Sequence, residues 1–203
     1  MRTLDRRDIV SALATGLTTG VIGWRILAFL GRPLPLGVDP FVLVPLVPFL
    51  WLAGVQLGYF LGRFMAFFTR FGRFAAIGFA NAAVDFGVLY LLIGVTGFAA
   101  GVWFTVFKTF SFLVAMTHSY FWNKNWAFDS GSSRGGSREV LTFAAVSVLS
   151  LVVNVGVASA VVNVVGPLGG LDANAWAGIG AIAGSAVALI FSFAGYKMFV
   201  FHK

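Results

Sequence analysis

Cysteine is absent from the 203 residues, and with it any disulfide framework, thiolate metal site or cysteine nucleophile. Histidine is nearly absent: His118 and His202 are too few for a His-rich metal centre. Charge is the third scarcity. Asp, Glu, Lys and Arg make up 10% of the chain, whereas a soluble domain carries about 25% to face water. Acidic residues are the scarcest, 7 against 14 basic ones, for a net charge of +7. In a soluble protein that excess would suggest nucleic acid. In an apolar chain it marks the cytoplasmic face of a membrane, where it also attracts anionic lipid, so no nucleic-acid partner is expected. Alternating polarity is missing as well, which argues against a transmembrane barrel.

What the chain has instead is apolar length. Hydrophobic residues make up 59% of it, and the mean hydropathy is +0.93. About 20 apolar residues cross a bilayer as a helix, and six runs qualify: Ile9 to Leu30, Phe41 to Gly62, Phe74 to Ile93, Trp103 to Trp122, Leu141 to Val162 and Trp176 to Tyr196. The first follows the basic segment Met1 to Arg7 but is too long for a signal-peptide core and lacks a small-x-small cleavage site, so it reads as a retained span. Pro45 and Pro48 lie near the start of the second, where a helix tolerates proline or kinks. Asp129 to Glu139, rich in Gly and Ser, reads as a flexible loop. Lipid excludes open sheet edges, so an all-α polytopic membrane protein is expected.

Basic residues set the expected orientation. With the N-terminus in the cytoplasm, that side holds Arg2, Arg6 and Arg7, then Arg63, Arg70 and Arg73, then Lys124, Arg134 and Arg138, and finally Lys197 and Lys203. The opposite side holds Arg25 and Arg32, while Lys108 falls within a span. The expectation is a multi-pass protein of the cytoplasmic (inner) membrane with both termini cytoplasmic.

An internal repeat is legible. Phe74-Ala75-Ala76-Ile77 recurs as Phe143-Ala144-Ala145-Val146, and Val84-Asp85-Phe86-Gly87-Val88 as Val153-Asn154-Val155-Gly156-Val157. Ala115, Ser119, Lys124 and Phe128 match Ala188, Ser192, Lys197 and Phe201 in step. The expected organisation is a two-span helical pair over residues 1–68 and a four-span bundle over 69–203, built from two-helix repeats at about 70–128 and 140–203. Each repeat has an even number of spans, so the copies run parallel, as in parallel-repeat transporters. Either their interface lines a substrate path, or duplication only solved a packing problem.

Asp85 and Lys108 are ionisable residues well within spans, where a charge costs at least ~2.5 kcal/mol on insertion scales and usually has a partner or a role. At ~1.5 Å per residue they lie roughly 18 and 22 Å from the cytoplasmic face, level enough for an ion pair. Asn81 sits one turn before Asp85. Lys108, Ser111, Ala115, His118 and Trp122 follow helical spacing, whereas the matching stripe of the second repeat is Ala181, Gly184, Ala188, Phe191 and Gly195. The pair could simply fix helix register. A polar face confined to one repeat suggests a path for an anionic head group, lined by Asn81, Asp85, Lys108, Ser111 and His118. Gly180 and Gly184, and Gly54, Gly58 and Gly62, suit close helix packing.

The segment Ser119-Tyr120-Phe121-Trp122-Asn123-Lys124-Asn125-Trp126-Ala127-Phe128 is the densest cluster of chemistry. One reading is an aromatic belt with an anchoring cation. The other is a lipid-phosphate site at the inner rim, formed by Arg73, Asn123, Lys124, Trp126 and Lys197 through charge-assisted bonds, with Arg70 at the same level.

These residues carry a resemblance. Arg73-Phe74 opening a span, Lys108-Thr109-Phe110-Ser111-Phe112, and the Asn123-Lys124-x-Trp126-x-Phe128 motif are similar to the GtrA-like family, over about Arg70 to Lys203. Ala127 stands where that family commonly has Thr, and the pair before Phe68 lies outside the match. The resemblance implies a small polytopic protein of cell-surface polysaccharide synthesis that binds a polyprenyl-phosphate-linked sugar and moves it from the inner to the outer leaflet. The implied partners are that lipid or its sugar conjugate and the surrounding membrane lipids, with an oligomer left open. No cofactor, metal or catalytic residue is implied. Two alternatives stand beside it: a non-transporting anchor for a membrane glycosyltransferase, and a proton-coupled small-solute exporter using Asp85. An enzyme is not expected, for want of a carboxylate pair or metal cluster.

Overall fold

In the computed structural model, residues 4–65, 67–127 and 137–199 are described, with residues 70, 127, 137–147 and 190–199 described by backbone alone. Residues 129–136 of the expected loop and the side chains of Arg70 and Lys197 therefore lie outside the described residues, while Ser137 to Glu139, expected in that loop, form the first turn of α5. Among the described residues every regular element is helical: α1 (Arg6–Phe29), α2 (Leu43–Leu61), α3 (Phe67–Thr96), α4 (Gly101–Trp122), α5 (Ser137–Ala160) and α6 (Ala173–Phe199). Among the described residues, four segments are long and apolar enough to cross a membrane, Arg6–Phe29, Pro40–Leu61, Phe67–Thr96 and Val148–Val165. The protein is a multi-pass, all-helical membrane protein. The run within α4 does not qualify; it holds Lys108, His118 and several hydroxyls. The apolar part of α6, Ala173–Leu189, is shorter.

The helices close into two compact units, Met1–Gly87 with Val114–Ser132, and Val88–Leu113 with Ser133–Lys203. In the first, Asp5 caps α1 by accepting the Asp8 N–H at 2.7 Å. A small-residue stripe of Ser11, Ala12, Thr15, Gly16 and Gly20 buries α1 against α2. The backbones come very close there: a Cβ on Gly16 would lie 2.6 Å from Pro48 Cα, and one on Gly20 would overlap the Leu43 carbonyl. Proline near the start of α2 is thus seated against glycine. Gly58 and Gly72 bring α2 and α3 together in the same way, as the sequence suggested for Gly58. Ala12, Val55, Ala76, Ile77 and Trp126 form the core of this unit. Gly20→Leu should lower stability by about 1–3 kcal/mol, as overpacking does. The thermal midpoint in detergent measures it, and an unchanged midpoint would contradict the close crossing.

In the second unit, α5 and α6 approach through Gly180 and Gly184, whose added Cβ atoms would overlap the Val162 side chain and the Asn154 carbonyl. A π-helical turn, Val161–Val165, ends α5. It presents Asn163, which caps α4 from a distance: its Oδ1 accepts the Gly101 N–H at 2.7 Å. Thr105 and Ser159 share a hydrogen bond at 2.9 Å, and the Tyr90 hydroxyl donates to the Asn174 carbonyl at 3.0 Å.

Candidate functional site

The motif Asn123-Lys124-Asn125-Trp126-Ala127 forms a π-helical turn at the end of α4. Such turns hold one extra residue, redirect the side chains around them and recur at functional sites. Here the motif has two faces. Trp126 turns inward and is 2% exposed. Lys124 and Asn125 are exposed, with the Lys124 ammonium 5.7 Å from the centre of the Tyr120 ring.

Trp126 is held at both of its polar ends. Its indole N–H donates to Asp8 Oδ1 at 2.9 Å, and its carbonyl accepts from Arg73 Nη1 at 3.5 Å. Around it lie Trp122, edge-on at 6.1 Å, and the apolar core. Asp8 is the hub. Its carboxylate, 1% exposed, meets Arg73 Nε at 2.8 Å on Oδ1. On Oδ2 it accepts Arg73 Nη2 at 3.0 Å and the Tyr59 hydroxyl at 2.5 Å. Oδ2 thus accepts two hydrogen bonds and Oδ1 one, with Arg73 Nε beside Oδ1 as a close charge contact, so that one cation and two neutral donors surround the carboxylate. A buried carboxylate tolerates such a position only when it is paired and hydrogen-bonded in this way.

This alters the roles expected for two of the rim residues. Arg73 engages Asp8, Tyr59 and the Trp126 carbonyl, and Trp126 packs in the core, so both hold the motif in place from behind. Among the described members of the set, Lys124 faces outward. Asn123 lies between: its Nδ2 donates to the Ser119 carbonyl at 2.9 Å, while its Oδ1 is buried with no hydrogen-bond partner among the described residues. Lys197 lies outside the described side chains.

Along α3, Arg73, Ile77, Asn81 and Asp85 succeed each other at four-residue spacing, on one face of the helix. Asp85 is 4% exposed. Two further buried polar atoms in this unit, Asn81 Oδ1 and His118 Nδ1, have no hydrogen-bond partner among the described residues. With Asn123 Oδ1, and with Arg73 Nε, which touches Asp8 only as a charge contact, they make four such positions in this unit, all on residues chosen from the sequence. Lys108 and Ser111 belong to the second unit and are fully buried. Asp85 and Lys108 thus both sit inside protein, as charges at membrane depth do.

Asp8 and Tyr59 were not among the residues that the sequence singled out. Their signal was present but weak. Asp8 continues the small-residue stripe of α1 by one turn, an acidic residue where an inward face meets the same basic rim as Arg73.

The GtrA/DPMS transmembrane-domain family model matches residues 73–201, so its first matched position is Arg73 and it excludes Asp8 and Tyr59. The "Uncharacterized membrane protein YngA" of Bacillus subtilis (strain 168) is 30% identical over 90 residues, 43% of this chain and 57% of its own length. The chain thus aligns with little more than half of that relative. No solved structure matches the chain. With well over half of its residues matched, from the Asp8-bound arginine through the π-helical motif to the end of α6, the chain belongs to the GtrA/DPMS transmembrane-domain family.

Proposed function

We propose that this protein binds a polyprenyl-phosphate-linked sugar at the inner leaflet of the cytoplasmic membrane and carries it to the outer leaflet, without covalent chemistry. The observation that carries the reading is that Asn81 Oδ1, His118 Nδ1 and Asn123 Oδ1 are buried with no hydrogen-bond partner among the described residues. Leaving a buried polar group unpaired costs about 1–3 kcal/mol. Such a cost is retained where a polar head group or its water completes the bonds in transit. In this reading Lys124 and Asn123 meet the lipid phosphate, with Lys197 in the matching place of the second repeat. Arg73 and Trp126 support them from behind. Asn81, Asp85 and His118 are the path residues of the first unit, and Lys108 and Ser111 those of the second. Six spans, a duplicated unit over residues 69–203 and cytoplasmic termini belong to the same proposal.

Translocation of a labelled polyprenyl-phosphate hexose in proteoliposomes tests it. Wild type should flip the lipid, and Lys108→Ala should slow flipping by about tenfold or more while binding stays within ~twofold, since a midway residue acts on the crossing. Bound lipid without flipping by wild type would refute the carrier and favour a glycosyltransferase partner that only presents the lipid.

A further inference from the structure

We infer that Asp8 is a positioning residue for the motif Asn123 to Trp126, so that the N-terminal helix pair is part of the site and more than an anchor. The functional half of the inference rests on the reading of Lys124 and Asn123 as the phosphate contact; the structural half does not. Asp8 lies outside the matched region 73–201, yet it binds the first residue of that region and the tryptophan of its motif. Its donors come from α2, α3 and the π-helical turn, three separate elements, and converge on one carboxylate through three hydrogen bonds and one close charge contact. Arg73, oriented by that carboxylate, also holds the Trp126 carbonyl. The turn is thereby fixed at its indole and at its backbone. A π-helical turn has poorer intrinsic geometry than the α-helix that competes with it. Removing the Asp8 acceptor frees the indole and lets the turn relax, which shifts Lys124 and Asn125 although Asp8 touches neither.

The lack of cysteine makes the turn easy to probe in the full chain. Asn125→Cys places a single thiol on the exposed face of the turn. Its rate of reaction with a membrane-impermeant maleimide, in nanodiscs, should change at least ~fivefold when Asp8→Asn is added, a coupling of about 1 kcal/mol between residues not in contact. Trp126→Phe removes one donor with nearly the same volume and should shift the rate in the same direction, so the test survives if Asp8→Asn fails to fold. Affinity for undecaprenyl phosphate is read in parallel. Asp8→Asn should weaken it about tenfold, as loss of a group that orients a ligand contact does. In that background Lys124→Ala should cost less than ~twofold more. An unchanged labelling rate in both variants overturns the inference, as do losses that simply multiply. A changed labelling rate with binding indifferent to Lys124 upholds the positioning role and refutes the phosphate site instead.

Discussion

Arg73→Ala should lower the stability of the protein by about 3–5 kcal/mol, because it strands the Asp8 carboxylate in a buried site without its counter-charge. The geometry leaves little room for relaxation. Asp8 is 1% exposed and Arg73 18%, and the guanidinium meets both carboxylate oxygens at 2.8 and 3.0 Å. Tyr59 and Trp126 would remain as donors, but neither carries charge. Against a total stability of about 5–15 kcal/mol for a folded domain, that loss is large. Removing both charges together, Arg73→Ala with Asp8→Ala, should cost less than the sum of the single losses, because no orphan charge remains. Thermal unfolding in detergent measures all three variants. Strictly additive losses would mean that the two groups act independently, contrary to their contact.

Lys124→Ala should do the opposite: it should leave stability within about 0.5 kcal/mol, as exposed substitutions do, and remove most of the affinity for a lipid phosphate. A hydrogen bond to a charged group is worth about 1.5–3 kcal/mol, which corresponds to roughly 10- to 100-fold in binding. Exposure makes this separation possible: Lys124 stands on the outer face of the turn, while its motif neighbour Trp126 is buried two residues away. Undecaprenyl phosphate titrated into nanodisc-embedded protein reads the affinity, and the same sample reads the midpoint. Unchanged affinity with an unchanged midpoint would remove Lys124 from the site.

The two predictions divide a motif that the sequence presents as a single cluster. Arg73, Asn123, Lys124 and Trp126 look alike from the sequence, as polar or amphipathic residues at one membrane rim. In the folded protein Arg73 and Trp126 face the interior with Asp8 while Lys124 faces out. A 3.6-residue period places Trp122 and Trp126 on one face, but it carries no sign of an inserted residue. The glycines behaved more simply. Gly58, Gly180 and Gly184 sit at close helix crossings, as their spacing suggested. Gly16 and Gly20 do the same in α1, with identical spacing that drew no attention.

Apolar run length and scarcity of charge determined by themselves that this is a helical membrane protein, because a bilayer leaves a backbone few other ways to satisfy its hydrogen bonds. The Asn-Lys-x-Trp motif determined the family. Tertiary structure alone decided what the N-terminal pair does for that motif. Asp8 meets Tyr59, Arg73 and Trp126 across separations of 51, 65 and 118 residues. Sequence periodicity shows which face of each helix turns inward, whereas the partner that face meets depends on how the helices are rotated and stacked. A single carboxylate in the first turn of α1 gains its meaning only when three side chains from elsewhere in the chain arrive at it.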